Sequence, residues 1–293
     1  MKILVTGGSG FIGRNVKESY LNQKYEVVAP GRQELDCSDD DSVKAFFTKH
    51  SFDAVIHSAA KAGHRNSADT SNLFLTNSRM LFNLLKYQDR WGKLINMGSG
   101  AIYDMQNYQP KMSESYFGTH IPKDEHGYNK YIFAKVLPSL TNVYDFRIFG
   151  IFGKYEDYAI RFISNAICKA IYGLPITLRQ NRKFDYLFID DLMPVLDHFI
   201  TQSPVEKSFN ITPDNSVELL KIAEMVRDVS NNPVEIKVAQ QGLGMEYSGN
   251  NALLKSEMGD LKFTPIENAI QQLHAWYLQN KTTINRDLLL VDK

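Results

Sequence analysis

ILVTGGSGFIG, residues 3–13, joins a short apolar run to a glycine-rich turn and the start of an amphipathic segment. Residues 8–13 fit the G-x-G-x-x-G fingerprint, and Gly7, Gly10 and Gly13 fit G-x-x-G-x-x-G. Glycine allows positive φ and a close approach of backbone to ligand, and the N-terminus of the next helix offers unpaired N–H groups to phosphates. The stretch predicts a strand, a turn and a helix that bind a dinucleotide, with a purely structural turn as the alternative.

The composition narrows the class of protein. A chain of 293 residues, 43% of them hydrophobic, can form one large or two modest domains with a substantial core. The 33 basic and 33 acidic residues give a net charge of zero, which gives no support for nucleic-acid or membrane-surface binding. Cys37 and Cys168 are too few for a metal cluster and are typical of reduced thiols in a cytoplasmic protein, with a single disulfide bridge as the alternative. No apolar run approaches the roughly 20 residues that a membrane span needs.

Strand-like and helix-like segments alternate along the first half of the chain. This alternation predicts an α/β fold with a doubly wound parallel sheet of the Rossmann type. We expect a dinucleotide-binding domain over residues 1–150, to which residues 184–210 return. Residues 151–183 and 211–293 are expected to form a smaller, mixed substrate-binding domain, with a ligand cleft between the two. The predicted strands of the sheet include residues 3–5, 26–29, 54–57, 94–97 and 143–149, and residues 187–189 are predicted to form a strand in the second half of the chain.

Three polar residues suggest reductive chemistry. Tyr131 and Lys135 are four apart on a predicted helix and so share one face. A lysine ammonium beside a tyrosine favours the phenolate and lowers the tyrosine pKa, which suits proton transfer. Ser99 follows a strand, at the sheet edge where ligands bind in open α/β folds, and could polarise a carbonyl. Taken singly, each residue has an ordinary structural explanation as a packed, solvated or capping side chain.

The order of the glycine turn, Ser99 and Tyr131-x-x-x-Lys135 resembles the extended short-chain dehydrogenase/reductases. The resemblance continues at residues 57–60, 147–153, 185–191 and 263–277. It implies that Tyr131 is the acid/base, that Lys135 tunes it and contacts ribose, and that Ser99 orients the substrate carbonyl. It also implies a homodimer packed through the helix at 69–90 and the helix carrying Tyr131. The residues predicted to bind the cofactor are Gly7, Gly10, Phe11, Ile12, Gly13, Arg14, Arg32, Asp36, Cys37, Ala59, Ala60, Lys61, Asn77, Tyr131 and Lys135.

The segment after the second strand bears on cofactor choice. An acid there holds the ribose hydroxyls of NAD, whereas an arginine accommodates the 2′-phosphate of NADP. Residues 28–32 read VAPGR, without an acid at the strand end. Arg32, assisted by Arg14, therefore favours NADP(H) over NAD, unless Arg32 is simply a solvated loop residue. No metal is expected.

Two kinds of side chain that relatives use for other reactions are absent from this sequence, which reduces the number of possible reactions. Gly100 and Ala101 stand where the sugar-nucleotide dehydratases of this family carry Asp-Glu, and Ala101 occupies the cysteine position of members that epimerise and reduce. Residues 32–36 and 59–63 nevertheless resemble the group that contains GDP-L-fucose synthase. The expected reaction is thus reduction of a nucleotide-diphosphate 4-keto-6-deoxy sugar by NADPH. Candidate substrate residues are His64, Ser99, Arg179 and Arg182.

Two rival functions stay open. A nucleotide-sugar 4-epimerase needs the same Ser, Tyr and Lys but keeps NAD tightly bound and consumes none. A non-catalytic regulator could retain the fold, although such proteins commonly lose the tyrosine or the lysine. For the expected homodimer, Leu73, Leu81 and Leu84 could supply apolar contacts or could simply belong to the core.

Overall fold

The computed structural model describes residues 1–63 and 69–291. The strands in these residues are β1 (Lys2–Thr6), β2 (Glu26–Val28), β3 (Phe52–His57), β4 (Trp91–Met97), β5 (Val143–Ile148), β6 (Gly150–Phe152), β7 (Ile176–Asn181), β8 (Lys183–Phe184), β9 (Tyr186–Phe188), β10 (Ser208–Ile211), β11 (Val217–Glu218) and β12 (Ile236–Leu243). The helices are α1 (Phe11–Glu18), α2 (Leu21–Lys24), α3 (Asp40–Lys49), α4 (Leu73–Leu85), α5 (Glu125–Val136), α6 (Phe162–Ile171), α7 (Ile189–Thr201), α8 (Leu219–Ser230), α9 (Ala252–Met258) and α10 (Ile266–Gln279).

A parallel sheet of six strands, in the order β10-β5-β4-β3-β1-β2, confirms the predicted Rossmann-type fold. Its inner strands are apolar along most of their length because helices cover both faces of the sheet. Ile3 and Val5 pack into the core on one face, whereas Leu4 and Val55 pack into the core on the other. One strand thus anchors two helical layers, with α1 and α7 on one side and α3 and α4 on the other.

The register of the sheet brings several chain segments to one edge. Thr6 pairs with His57, and His57 pairs with Asn96, so β1, β3 and β4 end at the same level. The glycine turn, residues 58–61 and residues 98–99 therefore leave the sheet side by side. This is the edge where open parallel sheets bind their ligands.

Some helices differ in extent from the prediction. The helix expected over 69–90 is α4, and its Leu73, Leu81 and Leu84 are at most 3% exposed. These three leucines form part of the core, so the idea that they contact a second subunit is wrong. The helix predicted after the glycine turn is followed by a break and a second short helix: α1 ends at Glu18, α2 begins at Leu21, and the Ser19 hydroxyl donates to the Val16 carbonyl between them.

The C-terminal part of the chain forms smaller sheets beside the main one. Strands β7 and β12 pair in parallel, β6 pairs with β9, and β8 pairs with β11. Helices α6, α8 and α10 pack together against the core that covers one face of the main sheet. Strand β10 joins the main sheet beside β5, close to the end of the 184–210 segment that was expected to return there. The division into two domains stays a prediction.

No helix in the described residues is both long enough and apolar enough to cross a membrane.

Candidate functional site

A cavity of about 580 Å³ lies beside the glycine turn. We call it the first cavity. Eight residues predicted to bind the cofactor line it, and the segments after β1, β2 and β3 supply them: Gly7, Gly10, Arg32, Asp36, Cys37, Ala59, Ala60 and Lys61. The sequence did not single out the remaining lining residues, which are Ser9, Pro30, Leu35, Ser38, Ser58, Asp69, Thr76 and Met80.

The backbone of the turn fits a pyrophosphate. Gly7 has φ +71°, a conformation that side chains rarely adopt. A Cβ at Gly13 would lie 2.4 Å from the Gly7 carbonyl oxygen, so only glycine lets α1 start this close to the turn. The first turn of α1 has no side-chain cap and no acidic residue, which leaves its N–H groups and positive dipole end free for an anion. The residues present therefore fit a dinucleotide.

Four predicted cofactor residues lie behind or beside the first cavity rather than in its wall. Phe11 and Ile12 are partly buried against the core, and Gly13 acts through backbone packing. The Arg14 guanidinium lies 5.1 Å from the centroid of the Tyr155 ring. Asn77 instead supports the wall, because its side chain accepts from the Lys61 N–H at 2.7 Å and donates to the Lys61 carbonyl at 3.2 Å.

Charged groups at the far end of the first cavity are paired. The Arg32 Nε lies 2.8 Å from the Asp36 Oδ2, although the Arg32 side chain is 76% exposed. Burial acts to raise the pKa of Asp36, but hydrogen bonds from Ser38 and Arg32 outweigh it and hold this pKa below its usual value. On the opposite wall, the Lys61 ammonium lies 2.6 Å from the Asp69 carboxylate. The two cations can therefore exchange a protein carboxylate for a ligand phosphate without moving far.

Ser99 lies where the sequence placed it, directly after β4. Its hydroxyl accepts from the Ala101 N–H at 3.1 Å and caps a short turn of 3₁₀ helix over Gly100–Tyr103. The Tyr247 hydroxyl, from the C-terminal part of the chain, also forms a hydrogen bond with Ser99. Burial raises the pKa of Tyr247 to about 12, so it stays a neutral phenol.

Tyr131 and Lys135 share one face of α5, as predicted from their spacing. Tyr131 is 6% exposed and packs in an aromatic cluster, with its ring 4.9 Å from the Phe117 ring. Lys135 is exposed above the same ring and lines a separate hollow that also contains Arg147. Their roles stay predictions, and this placement does not support them.

The lysine of α5 that reaches the sheet edge is Lys130. Its ammonium donates to the carbonyl of Met97, the last residue of β4, at 2.8 Å. Burial lowers the pKa of Lys130 to about 8, and the carboxylate of Asp145 only partly opposes this shift. His57, at the end of β3, is buried and has its pKa lowered to about 3, mainly by burial and also by Lys130. The sequence signal missed was the register of α5 relative to its N-cap, Asp124.

A second cavity, of about 610 Å³, lies in the C-terminal part of the chain. Two candidate substrate residues, Arg179 and Arg182, line it and provide positive charge for a diphosphate. His64 lies outside the described residues. The second cavity is also lined by Ile160, Phe162, Asn165, Thr177, Leu178, Gln180, Phe184, Leu219 and Gln240.

The described residues contain no cluster of His, Cys, Asp or Glu that could hold a metal ion. Both cysteines in this part of the chain are buried free thiols. The arrangement is thus suited to holding a dinucleotide and a second anionic ligand, with Ser99, Tyr247 and Lys130 near the end of β4.

This chain is similar in sequence to proteins of a known family. The profile of the NAD dependent epimerase/dehydratase family matches residues 3–212. GDP-L-fucose synthase from Azorhizobium caulinodans is 30% identical over 106 residues, which are 35% of this chain and 34% of that protein, so the match spans about a third of the relative. GDP-6-deoxy-D-talose 4-dehydrogenase from Aggregatibacter actinomycetemcomitans is 24% identical over 94% of this chain and 97% of its own length.

Solved structures show that the fold is shared along nearly the whole chain. A GDP-mannoheptose C4 reductase from Campylobacter jejuni, with NADP bound, has a TM-score of 0.81 and 18% identity, covering 94% of this chain and 98% of its own. A UDP-glucose 4-epimerase from Thermus thermophilus, in complex with NAD, has a TM-score of 0.77 and 20% identity, covering 95% and 99%. Both nicotinamide cofactors thus occur on this fold.

Proposed function

Since this chain belongs to the NAD dependent epimerase/dehydratase family, we propose that it reduces a nucleotide-diphosphate 4-keto-6-deoxy sugar with NADPH. The observation that carries the proposal is the set of residues that lines each of the two cavities. The first, beside the uncapped α1, suits a dinucleotide; the second, with Arg179 and Arg182, suits a diphosphate. The relatives named for GDP-linked 6-deoxy sugars support this substrate class.

NADP(H) is the proposed cofactor. The residues after β2, from Ala29 to Gly31, include no acid that would hold the ribose hydroxyls of NAD, and Arg32 lines the first cavity instead. The Arg32 side chain is largely exposed and, among residues 1–63 and 69–291, is held by Asp36 alone, so a 2′-phosphate can reach it from solvent. Tighter binding of NADH than of NADPH in a fluorescence titration would contradict this choice.

Ser99 is proposed to hydrogen-bond the substrate carbonyl. Its hydroxyl is half-buried at the end of β4, and Tyr247 on the far side fixes its orientation. A hydroxyl held in this way is ready to stabilise the negative charge that develops on the oxygen during reduction. The bound cofactor supplies the hydride, and the protein supplies position and charge.

The test is oxidation of NADPH, followed by absorbance, with GDP-, dTDP-, CDP- and UDP-linked 4-keto-6-deoxy sugars. We expect one mole of NADPH to be oxidised per mole of one member of this panel. The matched control is the corresponding 4-hydroxy sugar nucleotide, which has no carbonyl to reduce. If no member is reduced while the purified protein carries NAD and interconverts UDP-sugars without net redox change, the protein is a 4-epimerase instead.

A homodimer through α4 and α5 is also proposed. The exposed face of α4 carries Leu75, 48% exposed, and Phe82, 37% exposed, and Tyr128 on α5 is 41% exposed. These side chains, rather than the buried leucines of α4, could pack against a second copy. A monomeric mass in light scattering at micromolar concentration would contradict the proposal.

A further inference from the structure

Lys130 is positioned like a ligand-binding cation rather than a structural one. It reaches the edge of the sheet from α5, beside His57 and Met97 at the ends of β3 and β4 and near Asp145 within β5. In residues 1–63 and 69–291, the Met97 carbonyl is its one hydrogen-bond acceptor, so two of its three N–H bonds have no protein partner. A partly buried ammonium with free donors at this edge is suited to ligand hydroxyls.

His126 lies one helical turn before Lys130 and so shares its face of α5. It differs by about 140° around the helix from Tyr131. The N-terminus of α5 packs closely on the loop after Ser99, because a Cβ at Gly127 would lie only 3.0 Å from the Ala101 carbonyl oxygen. His126 therefore lies on the helical turn nearest to the loop that carries Ser99.

The imidazole of His126 is available to a ligand. Within the described part of the chain, it forms no hydrogen bond, and its side chain is exposed to solvent. The charged groups that face it are Lys130 and Asp124 from its own helix and Arg161 from the start of α6. Arg161 stands between Ile160 and Phe162, both of which line the second cavity. His126 therefore lies on the side of α5 from which Arg161, next to the lining of the second cavity, acts on it.

We propose that His126 is the group that gives a proton to the substrate carbonyl oxygen, with Lys130 as the cation beside it. This pair takes the roles that the sequence pattern assigned to Tyr131 and Lys135. The inference rests on the proposed reductase function. It names the acid that this function needs and that the placement of Tyr131 does not provide.

The proposed step balances in protons and electrons. Hydride, with its two electrons, adds to the carbonyl carbon, and the carbonyl π bond becomes a lone pair on oxygen. His126, as imidazolium, gives one proton to this oxygen and is left neutral, so the ketone becomes a secondary alcohol. Water then returns a proton to the imidazole. Ser99 and Lys130 hold the oxygen and the neighbouring hydroxyls, but they lose no proton.

The pH dependence distinguishes the two acids. Burial lowers the pKa of His126, and Lys130 and Arg161 lower it further against the opposing charge of Asp124. Because reduction needs the imidazolium, kcat/KM should rise as pH falls from 8 towards 6 or below, by up to about tenfold per pH unit. The reverse oxidation should show the opposite slope. A tyrosine acid, with an ordinary pKa of about 10, would leave reduction nearly constant over this range.

The main experiment compares His126→Gln with Tyr131→Phe in the NADPH oxidation assay. We expect His126→Gln to lower kcat by about 10²–10⁴-fold and Tyr131→Phe to stay within a few-fold of the wild type. His126→Tyr should keep measurable turnover and lose the rise towards acid pH. His120→Gln, which changes an exposed histidine outside α5, is the matched control. Equal activity of His126→Gln and the wild type, or loss of turnover in Tyr131→Phe alone, would overturn the proposal.

A second measurement needs no substrate and so separates this inference from the choice of reaction. NADPH binding, followed by fluorescence, should weaken about tenfold in Lys130→Met and remain unchanged in Lys135→Met. The imidazole resonance of His126, assigned by its loss in His126→Gln, should shift when NADPH binds. If the wild type reduces no sugar in the panel but both binding results appear, the proposed reduction is wrong, whereas the placement of His126 and Lys130 at the ligand is supported. If Lys135→Met rather than Lys130→Met weakens NADPH binding, the assignment of His126 and Lys130 is wrong.

Discussion

Replacing Lys130 by methionine should stabilise the folded protein at neutral pH. The reason is that burial lowers the pKa of Lys130 from its ordinary 10.5 to about 8, so the folded state disfavours the charged ammonium. This difference corresponds to about 3 kcal/mol of destabilisation wherever the group is charged in both states. Methionine has a similar length and no charge to bury. The variant loses the hydrogen bond to the Met97 carbonyl, however, which offsets about 1.5–3 kcal/mol of the gain.

The pH dependence of this difference in stability between Lys130→Met and the wild type is a more specific test than its size. Since the folded pKa of Lys130 is depressed, the folded state loses its proton between about pH 8 and 10.5, while the unfolded state keeps it. The wild type therefore gains stability relative to Lys130→Met as pH rises through this window. Between pH 7 and pH 9.5 the advantage of the variant should shrink by about 2 kcal/mol.

The assay is urea-induced unfolding of both proteins at pH 7 and pH 9.5. Comparing variant with wild type at each pH cancels the tyrosines and cysteines that also titrate in alkali. Lys135→Met, which removes an exposed ammonium from the same helix, is the control and should show no comparable change. A stability difference between Lys130→Met and the wild type that is the same at both pH values would refute the idea that Lys130 is strained by burial.

Three further results are expected. Gly13→Ala should lower the free energy of unfolding, measured in urea, by about 1–3 kcal/mol. It should also weaken NADPH binding in a fluorescence titration, because the new Cβ meets the backbone of the glycine turn. Gly31→Ala, whose Cβ would have no neighbour closer than 3.9 Å, should change neither the free energy of unfolding nor NADPH binding. Arg32→Ala should weaken binding of NADPH about tenfold or more and leave binding of NADH nearly unchanged in the same titration. Cys37, whose burial raises its pKa to about 12, should react with iodoacetamide at pH 8 only after denaturation, and rapid labelling of the native protein would contradict its burial.

The fold and the first cavity were largely predictable because their signals are local. A strand, a glycine turn and a helix follow one another within residues 3–13, and the apolar runs of the inner strands reflect burial on both faces. Residues after each strand end, such as Ala59 and Lys61, could be placed because parallel strands end at one edge. Supporting contacts such as those of Thr76 and Met80 on α4 could not, since they depend on how a distant helix packs.

It was harder to predict which face of α5 lies against the end of β4. Tyr131-x-x-x-Lys135 and His126-x-x-x-Lys130 both place two polar groups on one side of the helix, and the sequence spacing is the same. Which side meets β4 is decided by where α5 begins, at the Asp124 cap, and by the contact of Gly127 with the loop after Ser99. These are tertiary contacts that the spacing of residues within the helix does not contain.

The core on one face of the main sheet has a consequence for how the molecule unfolds. It runs without interruption from Ile3 and Val5 in β1 to Leu254 in α9 and to Ile270 and Tyr277 in α10. Releasing the C-terminal helices would expose that face of the sheet to water, so the two halves should lose structure in one cooperative transition. A fragment cut after β5 would keep the strands of the first cavity but lack α7 and the other apolar partners that cover this face of the sheet. Ligand bound in either half should therefore raise the melting temperature of both.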